Sequence, residues 1–111
     1  MWIGGHTPAA LRRVAELGDG WHAAFPSPGE IEGALGRLRE ACGKVGRDFT
    51  SLTLSARVGL PARKPADEAV AELRTLAGLG ITHVVLETRA RGLDDMVVTC
   101  ERFAREVRAK L

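Results

Sequence analysis

The fold is decided by residues 1–21, which read Met1-Trp2-Ile3-Gly4-Gly5-His6-Thr7-Pro8-Ala9-Ala10-Leu11-Arg12-Arg13-Val14-Ala15-Glu16-Leu17-Gly18-Asp19-Gly20-Trp21. The pattern predicts a short strand, a glycine turn, a helix and the start of a second strand. Thr7 supplies an N-cap oxygen, and Pro8 fits the first helical position, where a missing N–H costs nothing. One helical face is marked by Leu11, Val14, Ala15 and Gly18, and the helix ends at Gly18 to Gly20.

Two glycines, Gly4 and Gly5, stand directly before this capped helix. Backbone N–H groups at the positive end of a helix dipole attract phosphate and carboxylate groups. Glycine also occurs in tight turns simply because it adopts backbone angles that other residues disfavour, with no ligand bound. The turn by itself therefore supports two interpretations, an anion site or a tight βα turn that binds nothing.

The length and composition of the chain indicate one globular domain. The chain has 111 residues, 45% of them hydrophobic and 27% charged, and a chain of this length buries somewhat under ~70% of its unfolded surface. A net charge of +2 is too small to argue for nucleic-acid binding. There is no apolar run of ~20 residues and no signal-peptide pattern, so we expect a cytoplasmic protein without membrane partners.

The two cysteines, Cys42 and Cys100, each fall on the apolar stripe of a predicted helix. That position predicts two small core residues, not a disulfide. The histidines at positions 6, 22 and 83 match no metal-ligand spacing, and we expect no metal.

The rest of the chain continues the strand–helix alternation. A capping box, Ser27-Pro28-Gly29-Glu30, opens the clearest helix, which ends at Gly46. The other predicted elements are a strand over 21–25, a strand over 52–58, a helix from Asp67 or a neighbour to Gly78, a strand over 81–87 and an amphipathic helix from Leu93 to Leu111.

Four strand–helix pairs with short connections require parallel strands, so the chain is α/β. Right-handed crossovers leave two arrangements. One is an open, doubly wound sheet, and the other is four consecutive units of an eight-stranded barrel.

The opening motif resembles the luciferase-like monooxygenase family, including the bacterial luciferases and, above all, the deazaflavin-dependent oxidoreductases. The resemblance rests on residues 2–13 and on Leu17-Gly18-Asp19-Gly20-Trp21-His22. It continues through Ser27-Pro28, Gly46-Arg47-Asp48, the 52–58 strand, residues 80–86 and residues 103–107. These match the C-terminal part of the family, whose fold is a single βα barrel.

The resemblance implies four consecutive βα units, a C-terminal half of a TIM-type barrel over 1–111. It places the phosphate-bearing tail of FMN or of a deazaflavin (coenzyme F420) at Gly4, Gly5, His6 and Thr7, with Trp21 and Arg57 as further cofactor-binding candidates. The family's proton-transfer residues lie mostly in the other half, so no catalytic residue is assigned here. The rival interpretation is a non-catalytic half-barrel module that dimerises or binds a phosphorylated ligand.

In a barrel, the C-terminal strand ends present His6, His22, Arg57 and Glu87. Arg57 shares a polar strand face with Thr53 and Ser55, so its side chain either pairs with a coenzyme carboxylate or phosphate, or pairs with Glu87 or solvent.

We interpret His22 and His83 as hydrogen-bonded structural residues. Trp2 and Trp21 are expected in the core near the barrel mouth, with flavin stacking as the alternative for Trp21.

Four strands cut from a closed barrel leave two edges whose N–H and C=O groups have no partner. We therefore expect a homodimer, in which the copies pair edge to edge or stack sheet on sheet.

Overall fold

The computed structural model describes residues 1–24, 27–60, 65–88 and 91–111, with Leu60 described by its backbone alone. Strands and helices alternate as predicted. They are β1 (Trp2–Gly4), α1 (Pro8–Leu17), β2 (Gly20–Ala23), α2 (Pro28–Val45), β3 (Thr53–Leu60), α3 (Ala66–Gly78), β4 (His83–Thr88) and α4 (Leu93–Glu106). Short 3-10 helices follow α2 and α4, at Phe49–Ser51 and Arg108–Lys110. Phe25, the predicted end of the second strand, lies outside the described residues.

The four strands form one parallel sheet in the order β1-β2-β3-β4. A doubly wound sheet reverses its strand order at a switch point, whereas a barrel adds each strand beside the previous one. The observed order decides between the two predicted arrangements. The chain is four consecutive βα units, half of a TIM-type barrel, as predicted.

The strands bury one face against the helices. Its side chains pack in a single core with α1, α2 and α3, and they include Ile3, Trp21, Ala23, Leu54, Ala56 and Val58. The other face, which we call the concave face, carries Trp2, His22, Ser55, Arg57, His83, Val85 and Glu87. The rings of Trp2 on β1 and His83 on β4 meet edge to face with centroids 4.9 Å apart. Side chains from both edges of the sheet therefore touch, which requires a sheet curved like the wall of a barrel.

The helix starts follow the predicted caps. Thr7 Oγ1 accepts a hydrogen bond from the Ala10 N–H at 3.1 Å, and Ser27 Oγ accepts one from the Glu30 N–H at 3.4 Å. The apolar face predicted for α1 is buried, with Val14 fully inaccessible. Local sequence thus sets where the helices begin and which side faces the sheet.

The Gly46-Arg47-Asp48 motif has a structural role. Arg47 Nη1 donates to the carbonyl of Ala15 in α1 at 3.5 Å, and its Nε donates to Ser51 Oγ at 3.2 Å. Asp48 caps the following 3-10 helix by accepting from the Thr50 N–H at 3.0 Å. The motif therefore ties the connection between α2 and β3 to α1.

Two burial predictions are wrong. Cys42 is buried as expected, but Cys100 is exposed. Within α4 no residue is buried, because the helix reaches the core only near its end, through the half-buried Phe103 and through Val107 just beyond it. Trp2 is 46% exposed on the concave face and does not lie in the core.

At Gly20, residues of β1 and β3 lie too close to β2 to leave room for a side chain. A Cβ built there would lie 2.7 Å from the Thr53 carbonyl oxygen and 2.8 Å from Cδ1 of Trp2. Gly20→Ala should destabilise the protein by about 1–3 kcal/mol, because the backbone oxygen cannot move out of the way. We expect a lower midpoint in urea unfolding.

Gly36→Ala is the matched control, since Gly36 is an exposed position in α2 whose added Cβ meets no atom within 4 Å. It should stabilise the protein by about 0.5–1 kcal/mol through helix propensity. Equal stability of Gly20→Ala and the unaltered chain would contradict the close approach.

Candidate functional site

The turn between β1 and α1 has a backbone shape that favours glycine. Gly5 has φ +95°, in the left-handed region, and a Cβ built on it would lie 3.1 Å from Cβ of Ala10. A side chain at this position is therefore strained by its own backbone and by the first turn of α1.

Trp21 holds this turn from inside the core. Its ring is fully buried, and its Nε1–H donates to the Gly5 carbonyl oxygen at 2.8 Å. The expected core position is confirmed. Flavin stacking needs an open ring face, which the buried ring of Trp21 does not offer. The structure gives Trp21 a positioning contact instead.

The start of α1 offers fewer free donors than the sequence suggested. Pro8 has no N–H, the Ala10 N–H donates to Thr7 Oγ1, and the Leu11 N–H donates to the Thr7 carbonyl. In the first turn of α1, which lies within the described residues, the Ala9 N–H is the donor for which no acceptor is seen. The Thr7 hydroxyl accepts from Ala10 and keeps its own O–H for donation. One amide and one hydroxyl are thus available to an anion.

A small cavity of about 70 Å³ opens beside the turn, and its lining residues are Gly5, His6, Trp21, His22 and Ala24. It lies where β1 and β2 end, on the side at which barrel enzymes bind their ligands. Of the predicted cofactor residues, the structure brings Gly5, His6 and Trp21 together here, with Gly4 and Thr7 flanking them in the chain.

His22 and Ser55 form a pair that the sequence analysis missed. His22 Nδ1 lies 2.9 Å from Ser55 Oγ, and Ser55 is fully buried although it lies on the concave face. Burial lowers the pKa of His22, and the positive charge of Arg57 and then of His83 lowers it further. The imidazole is therefore neutral at pH 7. The two residues are 33 positions apart in the sequence. Their pairing can be predicted only once the order and register of β2 and β3 are known.

Arg57 lies elsewhere on the concave face, outside the residues that line the cavity. Its Nε is 3.6 Å from Oε2 of Glu87, and both side chains are about half exposed. The predicted alternative of a pair with Glu87 is what the structure contains. Exposed pairs of this kind contribute about 0–1 kcal/mol, so Arg57 can leave Glu87 at small cost.

Within the described ranges, no group of three or more His, Cys, Asp or Glu side chains is arranged to hold a metal ion. No helix in the part of the chain that the structure describes has the length and apolarity to cross a membrane. What the described residues do offer is a small cavity lined by the imidazole of His22, and a hydroxyl and an amide at the start of the helix that follows the turn.

The lowered pKa of His22 predicts a pH dependence of stability. Its ordinary value is 6.5, so as the pH falls the unfolded chain takes up this proton before the folded one. The stabilisation is complete above about pH 6.5 and is lost as the pH falls through the folded-state pKa. His22→Gln should lose less unfolding free energy than the unaltered chain between about pH 8 and about pH 5. Identical pH profiles for the two proteins in urea unfolding would contradict the burial of His22.

Comparison with solved structures supports the half-barrel. The chain is similar to a coenzyme F420-dependent tetrahydromethanopterin reductase from Methanopyrus kandleri, with a TM-score of 0.77 and 14% identity over 98% of this chain and 50% of that one. It is also similar to an F420-dependent secondary alcohol dehydrogenase in complex with an F420-acetone adduct, with a TM-score of 0.75 and 11% identity over 97% of this chain and 48% of that one. The chain thus spans about half the length of these proteins. At such low identity the likeness shows the fold. No curated protein matches the sequence.

The sequence also matches one family model over almost its whole length. The model is that of the luciferase-like monooxygenases, and the match covers residues 1–106. The parallel strand order and the glycine turn ahead of a capped helix agree with the resemblance noted in the sequence. The chain belongs to the luciferase-like monooxygenase family.

Proposed function

We propose that this chain is the coenzyme-binding C-terminal part of a flavin- or deazaflavin-dependent luciferase-like oxidoreductase or monooxygenase. The turn Gly4 to Thr7 receives the coenzyme phosphate. The observation that carries the proposal is the cavity lined by Gly5 and His6, in the turn directly before the Thr7 cap of α1. Family membership supplies the class of ligand, and helix N-termini with glycine turns are suited to phosphate.

The cavity has room for a phosphate group. Its volume of about 70 Å³ is several times the roughly 10–15 Å³ that one water molecule requires. A phosphate accepts hydrogen bonds only from donors, which the Thr7 hydroxyl and the Ala9 N–H provide. The isoalloxazine or deazaflavin ring would then lie outside the cavity, toward the concave face.

The surrounding residues prepare the turn for the phosphate. Trp21 fixes the carbonyl of Gly5, so the turn needs no reorganisation when the ligand arrives. His22 is kept neutral and held by Ser55, and His6 lines the cavity from the turn itself.

Arg57 is free to exchange its loose pair with Glu87 for a coenzyme carboxylate or phosphate. When bound, the coenzyme supplies hydride transfer or oxygen activation, and the chain's own residues bind and orient it.

Both named structural neighbours are F420-dependent, which supports the deazaflavin, while the family name supports flavin. FMN and coenzyme F420 share the phosphate that the turn is proposed to hold. Titration of the chain with each coenzyme and with inorganic phosphate separates recognition of the ring from recognition of the phosphate.

The second candidate is a non-catalytic half-barrel module that binds a phosphorylated ligand. The chain covers about half of its structural neighbours, 50% in one and 48% in the other, and the family resemblance places most proton-transfer residues in the half that it lacks. The module would bind coenzyme phosphate at the same turn without catalysing a reaction. A measurement of turnover separates the two candidates.

Removal of the Thr7 hydroxyl tests the phosphate site. Thr7→Ala should weaken binding of FMN or coenzyme F420 by about tenfold or more, because a hydrogen bond to a charged group is lost. It should also cost about 1 kcal/mol of stability through loss of the N-cap. Isothermal titration calorimetry measures the first effect and urea unfolding the second.

Ser27→Ala is the matched control, because Ser27 caps α2 in the same way but belongs to a different helix from the one that follows the Gly4 to Thr7 turn. It should lose similar stability and keep full affinity. Equal affinities of Thr7→Ala and Ser27→Ala would remove the proposed role of Thr7.

Filling the turn is a second test. Gly5→Val should abolish binding of coenzyme and of inorganic phosphate while the chain remains folded, since the strain at positive φ is about 1–2 kcal/mol and folded domains have about 5–15 kcal/mol of stability. Circular dichroism checks the fold. Gly29→Val, at an open position in α2, should bind normally. Unchanged affinity of Gly5→Val would overturn the site.

The chain alone should turn over coenzyme poorly or not at all, since the resemblance assigns it no proton-transfer residue. The measurement is steady-state absorbance of FMN or coenzyme F420 with the purified chain and candidate alcohols. Rapid reduction of either coenzyme would show that these residues contain a complete catalytic site, and would exclude the non-catalytic module.

A further inference from the structure

Three polar side chains form a row across the concave face of the sheet. In the strand register His22 of β2 is opposite Ser55 of β3, and Ser55 is opposite His83 of β4. On β1 the residue opposite His22 is Gly4, which has no side chain to cover the ring. The strand that carries His22 has a partner on both sides. The imidazole of His22 is therefore flanked by a hydroxyl toward β3 and by glycine toward β1.

Ser55 is the one polar residue among those that the structure describes whose side chain is buried, and it has no accessible surface. Its Oγ lies 2.9 Å from Nδ1 of His22, and within the described ranges no other partner is seen for this hydroxyl. Solvent water cannot reach so deeply buried a group, so its hydrogen bond has to come from the protein. The atom seen to be available for the Ser55 proton is therefore Nδ1 of His22.

The hydroxyl proton of Ser55 decides which tautomer of His22 is favoured. A neutral imidazole has one nitrogen that donates and one that accepts. If Nδ1 carried the ring proton, it would donate to Oγ and leave the buried Ser55 O–H without an acceptor, which is unfavourable. If Ser55 donates to Nδ1, both groups are satisfied and the ring proton lies on Nε2. The geometry therefore favours the Nε2–H tautomer.

The charges around His22 favour the neutral ring as well. Burial lowers the pKa of His22, and the positive charges of Arg57 and then of His83 lower it further. A second proton would have to go to Nδ1, where it would remove the acceptor that the Ser55 hydroxyl needs. Geometry and charge thus agree on an uncharged ring that donates from Nε2 alone.

Nε2 is the ring nitrogen that remains for a ligand. The ring of His22 lines the cavity of about 70 Å³ beside the turn, together with Gly5 and His6. No partner for Nε2 is seen in the part of the chain that the structure describes. Phosphate oxygens accept hydrogen bonds, so a fixed N–H is complementary to them, whereas the other tautomer would present a lone pair.

We propose that His22 is a further binding residue of the phosphate site: Ser55 holds its ring in the Nε2–H form, and Nε2–H donates to an oxygen of the phosphate in the cavity. Ser55 is a positioning residue, because it acts on the ligand through His22. The contact adds a side-chain donor from β2 to the hydroxyl and the amide at the start of α1. It rests on the proposed function, since it requires a phosphate in this cavity.

Binding of inorganic phosphate and of FMN to the full chain tests the contact. Isothermal titration calorimetry at about pH 8 keeps His22 uncharged. His22→Phe retains a ring without nitrogen and should weaken both ligands by at least about tenfold, because a hydrogen bond to a charged group is lost. His22→Gln keeps an N–H at the end of the side chain and should recover most of that loss. Unchanged affinity of folded His22→Phe, checked by circular dichroism, would overturn the contact.

His83→Phe is the matched control. His83 lies in the same row on the other side of Ser55, but it is not among the residues that line the cavity. The same substitution there should leave the affinity for phosphate and FMN unchanged. Equal losses of affinity in His22→Phe and His83→Phe would overturn a specific role of His22.

The tautomer of His22 is measurable without any ligand. Long-range proton–nitrogen correlation spectra of the isotope-labelled chain distinguish a ring nitrogen that bears hydrogen from one that does not. They should show the His22 hydrogen on Nε2. A hydrogen on Nδ1 in the unaltered chain would overturn the proposal, whether or not phosphate binds.

Ser55→Ala tests the positioning role and does not depend on the folding of His22→Phe. Without the hydroxyl, Nδ1 has no donor, so we expect both tautomers of His22 and an affinity for phosphate that is lower by at least about threefold. A Ser55 that served stability alone would change the urea midpoint and leave the tautomer as it is. That result would overturn the positioning role.

These outcomes separate the His22 contact from the proposed function. Absence of phosphate and FMN binding by the unaltered chain would overturn the proposed function and this contact together. Binding that persists in His22→Phe would overturn this contact alone. Loss of affinity in His22→Phe, its recovery in His22→Gln and the Nε2–H spectrum would support both.

Discussion

The indole of Trp21 connects the hydrophobic core to the candidate site. Its ring is fully buried beneath α1 and α2, so its position is set by the packing of the whole domain. Its N–H donates to Gly5, whose positive φ shapes the turn before α1. A change in core packing would therefore reach this turn through one hydrogen bond. Rigid support of this kind is what a preorganised binding turn requires.

Curvature of the sheet determines the second part of the site. Because Gly20 has no side chain, the Trp2 ring lies across β2 and reaches His83 on the far edge. His22 and Ser55 lie opposite each other in the register of β2 and β3 and form a part-buried pair on the same face. Burial, and then the nearby charges of Arg57 and His83, lower the pKa of His22. The concave face thus combines a neutral imidazole with Arg57, in the region that a coenzyme ring would occupy under the proposed function.

Half-barrel architecture explains both the incomplete site and the open surface. Four βα units supply one glycine turn and one concave face, and they leave two strand edges and the start of α4 uncovered. In a closed barrel the further βα units cover both regions. Their strands pair with the open edges of the sheet, and their helices pack beside the neighbouring helices.

The sequence by itself determined the features that arise from near neighbours in the chain: the alternation of strands and helices, the caps at Thr7 and Ser27, the buried side of α1 and the glycine turn. It also carried enough of the family pattern to indicate a half-barrel. Only the tertiary structure decided the strand order, the exposure of Cys100 and the pairing of His22 with Ser55. These depend on contacts between residues far apart in the chain, and an amphipathic stripe such as that of α4 shows which side is apolar without showing what covers it.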